Sequence, residues 1–287
     1  MGMDFGAIRD IVQAIDDVGF DSIATNDHVV GAPPERASDE KMVWDKPLHT
    51  ANTPVHEPLT FLSFVAAVTT RVELVTAVLL APQRQTALVA KQTAQLDLMS
   101  GGRLRLGLGV GRNWMEYEAL NENFKNRGKR MEEQIYLLRR FWTEELVTFD
   151  SEWHQLDRVG INPRPVQQPI PIWLGSYSGS VNEKVIERVG RMADGWLPQY
   201  PPEMFAPALE RVRQYAVDAG RDPDDLGVEC VQWAKPDDDP QSWIDLALTY
   251  KELGATGLKV MTEGPTTPQE HLDLLLRWHG AVRPAVS

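Results

Sequence analysis

Asn26-Asp27-His28 sets a carboxylate and an imidazole side by side, directly after the apolar run Ser22-Ile23-Ala24-Thr25. That run follows an amphipathic stretch at residues 5–18, so it reads as a strand entered from a helix. At the end of a barrel strand, where active-site residues gather, an Asp-His pair suits proton transfer: imidazole titrates near neutrality and a carboxylate can orient it. A helix cap or a buried hydrogen bond is the structural rival.

Three further segments have chemistry-bearing compositions. Gly107-Leu108-Gly109-Val110-Gly111 closes an apolar strand and precedes Trp114 and Glu116. Glycines there let backbone approach a flat ring or a phosphate, although a tight barrel turn accounts for them equally well. The motif is not the dinucleotide fingerprint, because Arg112 stands three residues after Gly109. Gly175-Ser176-Tyr177-Ser178-Gly179-Ser180 follows the run Ile170-Pro171-Ile172-Trp173-Leu174 and opens a helix, an arrangement that suits a phosphate or an ordinary N-cap. The run from Thr76 to Pro82 carries nothing that titrates; it predicts core, and its surface can back a flat ring. His49, His56 and Glu57 are conceivable metal ligands together with His28, but the His-x-His pair of metal barrels is absent and no metal is expected.

These residues need a scaffold, and helix-like and strand-like segments alternate along the whole chain, the pattern of a parallel sheet covered by helices. Candidate strands lie at residues 22–25, 72–80, 104–109, 171–175, 195–197, 226–233 and 257–261. Helical spacing of apolar residues marks the segments between them, for example Met131, Ile135, Leu138, Phe141 and Trp142. Gly19, Gly220 and Gly254 stand just past helix ends, and Ser180 and Pro240 near helix starts. The prediction is a single α/β domain over residues 1–287, a (β/α)8 barrel in preference to an open doubly wound sheet. Residues 1–4 leave no room for a strand before the first helix, so either the barrel lacks its first strand or translation starts upstream. Residues 29–57, rich in Pro and charge, read as an active-site loop containing Trp44, His49 and His56. Residues 147–168 read as a short hairpin insertion.

Composition narrows the class. Of the 287 residues 43% are apolar, enough for a substantial core, and the net charge of -12 disfavours a polyanionic partner such as nucleic acid. The single cysteine, Cys230, excludes an internal disulfide and reads as a buried hydrophobe in a strand, which fits a reducing cytoplasm. The apolar runs fall well short of the roughly 20 residues a membrane span needs.

In sequence order, VGFDSIATNDHVV, HEPLTFLSFVAAVTTRVELVTAVLLAP, VAKQTAQLDLMSGGRLRLGLGVG, NPRPVQQPIPIWLGSYS and RMADGWLP resemble the luciferase-like monooxygenase superfamily, in particular its branch of oxidoreductases that use the deazaflavin coenzyme F420. The resemblance covers nearly the whole chain, and the combination and order of the segments are specific. It implies a luciferase-like barrel, with Asp27 and His28 on the family's Asp-His pair, where the histidine exchanges the proton that accompanies hydride transfer. It places Ala77 and Val78 on a strand-end bulge, often a non-prolyl cis peptide, that supports the coenzyme's central ring. Gly109, Gly111 and Glu116 match the loop around the ring system, Glu116 resembling an acid of several relatives. Gly175, Ser176 and Ser178 match the loop that takes the coenzyme phosphate. Arg112 stands where many relatives place Trp, and Ser176 where many place Gly.

The leading expectation is hydride transfer between coenzyme F420 and a small organic substrate, with residues 29–57 covering the site and a homodimer as the assembly. An FMN-dependent monooxygenase using dioxygen is the alternative on the same fold. A degenerate barrel that binds without catalysing is the alternative from another class.

Overall fold

The computed structural model describes residues 4–33, 36, 49–177 and 180–286. The chain forms two compact units, one built on Ser22–Pro171 and the other on residues 4–21 with 172–286.

In the first unit, β1 (Ser22–Thr25), β2 (Glu73–Thr76) and β3 (Leu104–Leu108) run parallel in chain order. Helix α2 (Pro58–Val68) connects β1 to β2, and α3 (Thr86–Ser100) connects β2 to β3, so each parallel pair is joined by a helical crossover. Strand β3 is buried at all five positions, as a parallel strand covered on both faces must be. Helix α3 ends at Gly101, whose φ of 69° provides the left-handed C-cap. Arg103 ties the end of α2 to the start of β2, donating to the carbonyls of Ala66, Thr69 and Val72. Helices α4 (Trp114–Ala119) and α5 (Arg127–Thr143) follow, α5 burying Met131, Ile135, Leu138, Phe141 and Trp142 as their spacing predicts. The expected hairpin is present, with β4 (Val147–Asp150) antiparallel to β5 (Gln155–Val159).

In the second unit, β6 (Ile172–Ser176), β7 (Gly195–Pro198), β8 (Gly227–Ala234) and β9 (Gly257–Thr262) are likewise parallel and in chain order. Their connections are α6 (Glu183–Met192), α7 (Pro202–Asp218) and α8 (Pro240–Glu252), and α9 (Pro268–Val286) ends the described chain. Helix α1 (Phe5–Val18) belongs to this unit: Phe20, just beyond it, stacks on Trp278 of α9 at 6.4 Å, and Arg283 donates to Asp21 at 2.5 Å. The core holds fully buried Trp196 stacked on Phe205 at 5.8 Å, and the Trp278 indole donates to Gln232 at 2.9 Å. Gly195 and Gly227 admit the Trp173 ring, which a Cβ at either position would meet within 2.4 Å.

All seven expected strands are present, and no strand precedes α1 among the described residues. The other strands lie within one residue of their expected bounds, but β2 stops at Thr76 instead of continuing to Leu80: the Ala77-Val78 peptide is cis, and beyond it Leu79 makes an isolated parallel bridge with Leu108. Ser180 stands near a helix start, as expected: α6 begins at Glu183, and the Asn182 side chain accepts from the Lys184 amide at 3.1 Å. No described helix is long and apolar enough to cross a membrane.

Candidate functional site

Asp27 and His28 leave the end of β1 in opposite roles. Asp27 is 3% exposed, and its carboxylate accepts the Leu80 amide at 3.0 Å and two nitrogens of Arg84 at 2.9 and 3.2 Å. This is a forked, bidentate pair, the geometry in which a guanidinium binds a carboxylate most strongly. A third Arg84 nitrogen donates to Glu57 at 3.0 Å. Burial works against the Arg84 charge, but Asp27 and Glu57 outweigh it and hold the guanidinium above its ordinary pKa. Glu57, although half-buried, is held below the usual carboxylate range by the Thr60 amide at the start of α2 and by Arg84. Asp27 is therefore occupied in fixing the strand end, while its neighbour faces the chemistry.

His28 keeps its side chain 20% exposed and places Nδ1 3.0 Å from Oε1 of Glu116, a residue with no exposed surface. Glu116 lies in the first turn of α4, where the Asn113 side chain accepts the Met115 amide and negative charge is favoured by the helix dipole. Its second oxygen accepts from the Gln83 amide group at 3.1 Å. With Nδ1–H donating to Glu116, the imidazole is held in one tautomer and orientation, which leaves Nε2 as the nitrogen able to exchange a proton. The second imidazole, His49, lies over His28 with ring centroids 3.8 Å apart. Burial, with the charges of His28 and Arg112, lowers its pKa to about 4, so His49 is neutral where His28 would work.

At the neighbouring strand end, tied to Asp27 through the Leu80 amide, Ala77, Val78 and Gly109 pack into a ledge. The Ala77 amide donates to the Thr25 carbonyl at 2.6 Å, and the Leu79 amide to the Gly107 carbonyl at 2.8 Å, so the cis segment stays tied to β1 and β3. Val78 presses on Gly109, where a Cβ would come within 2.4 Å of its Cγ2. Gly111 holds a φ of 65° beside Leu80, a conformation that favours glycine. A wall of backbone and apolar side chain bordered by one exchangeable imidazole fits a flat, redox-active ring that gains or loses a proton. Nothing in that wall supplies a nucleophile.

The first unit thus brings together Asp27, His28, Ala77, Val78, Gly109, Gly111 and Glu116. Gly175 and Ser176 lie at the end of β6 in the second unit, where the buried Ser176 hydroxyl accepts from the Trp196 indole at 2.8 Å. Ser178 and Trp44 fall outside the described residues. His56 stacks on Phe61 at 5.2 Å, and Glu57 pairs with Arg84, so the residues weighed as metal ligands have other work. Sequence reasoning passed over Gln83 and Arg84. Their signal is a pair of long polar side chains directly after an apolar strand run, where burial demands partners. Cys230 is buried in β8, and burial pushes its thiol pKa up to about 12, which fits the reading of a buried hydrophobe.

The family model described as luciferase-like monooxygenase matches residues 1–253. An F420-dependent glucose-6-phosphate dehydrogenase of Nakamurella multipartita is 31% identical over 234 residues, covering 76% of this chain and 60% of that one. A solved F420-dependent secondary alcohol dehydrogenase, in complex with an F420-acetone adduct, superposes with a TM-score of 0.80 at 18% identity, over 97% of this chain and 94% of that one. A monooxygenase from Streptomyces bottropensis does so with a TM-score of 0.77 at 20% identity, over 99% and 94%. At such identities the two structures show a shared fold, the luciferase-like α/β architecture. The chain spans 49 to 60% of the length of curated relatives it matches.

Proposed function

Because the chain belongs to the luciferase-like monooxygenase family, we propose that it is an oxidoreductase moving a hydride between coenzyme F420 and a small organic substrate. The single observation that carries this reading is His28, partly exposed and anchored by the fully buried Glu116 at 3.0 Å, beside the ledge of Ala77, Val78 and Gly109. The 31% identity to an F420-dependent dehydrogenase supports the choice of coenzyme. When bound, the deazaflavin supplies hydride exchange at its ring.

The chain's own residues do the rest. Ala77, Val78, Gly109 and Gly111 border the ring, and Gly175, Ser176 and Ser178 take the phosphate, as the resemblance implies. His28 Nε2 exchanges the proton that balances the hydride, while Glu116 and Gln83 hold its ring in place. Asp27, clamped by Arg84 and the Leu80 amide, fixes the strand end on which His28 stands. The reading includes a single domain over residues 1–287, a homodimer and a cytoplasmic location, with neither nucleic acid nor membrane as a partner.

A second reading, an FMN-dependent monooxygenase using dioxygen, is favoured by the description of the family itself. Equilibrium titration of the purified chain with F420 and with FMN separates the two. Saturable binding of F420 alone is expected. FMN alone would transfer the assignment to the second reading, and binding of neither would leave a non-catalytic barrel.

A further inference from the structure

The turn that follows the cis segment supplies donors to all three of the site's carboxylates. The Leu80 amide and the Arg84 guanidinium go to Asp27, Arg84 also reaches Glu57, and Gln83 goes to Glu116. One short piece of chain, residues 80–86, therefore sets the positions of Asp27 and Glu116 together.

The same turn is gripped from helix α5. Gln134 is 1% exposed, and its Nε2 donates to the Ala81 carbonyl at 3.1 Å, the Arg84 carbonyl at 3.0 Å and the Thr86 hydroxyl at 3.1 Å. Three oxygens around one nitrogen fix which end of the amide is which, because the side-chain oxygen could not face them. That oxygen is itself buried and has no hydrogen-bond partner among the described residues. An apolar side chain of the same size would fill the space without burying an unpaired acceptor, so packing alone gives no reason for Gln. Thr86 is fixed in turn: its hydroxyl lies 2.5 Å from His154 Nε2, and His154 Nδ1 lies 2.5 Å from Glu133.

We propose that Gln134 is a positioning residue for the His28 site, holding the 80–86 turn in the one arrangement that presents Gln83 to Glu116 and Arg84 to Asp27. Gln134 donates to Ala81, Arg84 and Thr86 and so acts on Asp27 and Glu116 through the turn. The link to turnover rests on the hydride-transfer reading; the positioning itself does not.

Gln134→Met keeps the volume and removes the donors, and amide hydrogen exchange in the whole chain reads the result without any coenzyme. Exchange of the Leu80 and Arg84 amides is expected to accelerate by about 10-fold or more, with the β3 amide of Leu106, which donates to the Pro171 carbonyl, unchanged. In the F420-binding enzyme, kcat should fall by about 10-fold or more with the coenzyme Kd held within about threefold. Leu137→Ala, a buried packing change on the same helix, should instead move exchange at Leu80 and in β3 together. Should Gln134→Met fail to fold, Gln134→Asn, whose amide is one methylene too short, is read in the same way. Unchanged Leu80 exchange, or acceleration no greater at Leu80 than in β3, overturns the proposal. So does local loosening that leaves kcat intact in an enzyme that binds F420. Selective acceleration in a chain that binds no F420 would sustain the positioning role and refute the F420 reading.

Discussion

Replacing His28 by alanine should lower kcat by about 10²- to 10⁴-fold, the range general acid-base groups supply, with the coenzyme Kd changed by less than about threefold. The asymmetry follows from the geometry. The ledge of Ala77, Val78 and Gly109 does not depend on the imidazole, whereas the proposed proton exchange does. Steady-state kinetics with a direct coenzyme titration measures both quantities, and unchanged turnover removes His28 from the mechanism.

The pH range for that comparison matters. A histidine whose folded pKa lies near 4, against the ordinary 6.5, binds fewer protons folded than unfolded between those limits. His49 therefore costs stability as pH falls through that window, an effect moderated by its partial exposure. Rates measured above about pH 6.5 are free of this contribution.

Asp27→Ala should be the most costly single change at the site for stability, at about 3 kcal/mol, the low end for breaking a buried ion pair. The low end applies because Arg84 keeps 19% of its side chain in solvent and retains Glu57 as a partner. Asp27→Asn preserves an acceptor for the Leu80 amide and should cost about 1 to 2 kcal/mol. Urea unfolding with a shared m-value checks both, and a loss below about 1 kcal/mol for Asp27→Ala would show that the Arg84 clamp contributes little.

The architecture was legible because period and punctuation agree along this chain. Met131 to Trp142 recur at helical spacing on the buried face of α5, and Gly19, Gly220 and Gly254 fall where left-handed turns end helices. The strand end at Asp27-His28 was legible for the same reason. Beyond it, local pattern loses its reach. The apolar run at 72–80 gives no sign that its continuous ladder breaks after Thr76, because the break leaves the apolar composition unchanged; only the resemblance points there. Gln83 and Arg84 look like a polar exit from a strand until Glu116 and Asp27, 33 and 57 residues away, supply their partners. Gln134 is a polar interruption of an apolar helix face, and its acceptors lie 48 to 53 residues earlier. Glu57 shows the converse, a residue weighed as a ligand whose carboxylate is already held by Thr60 and Arg84.

The central claim is that coenzyme F420 binds against His28. The chain has six histidines, few enough for each ring to be followed by nitrogen-15 NMR, with His28 identified by the signal lost in His28→Ala. Titration with F420 should shift the His28 ring resonances saturably, with the same midpoint as coenzyme binding. Saturable binding that leaves the His28 resonances unmoved would contradict the account.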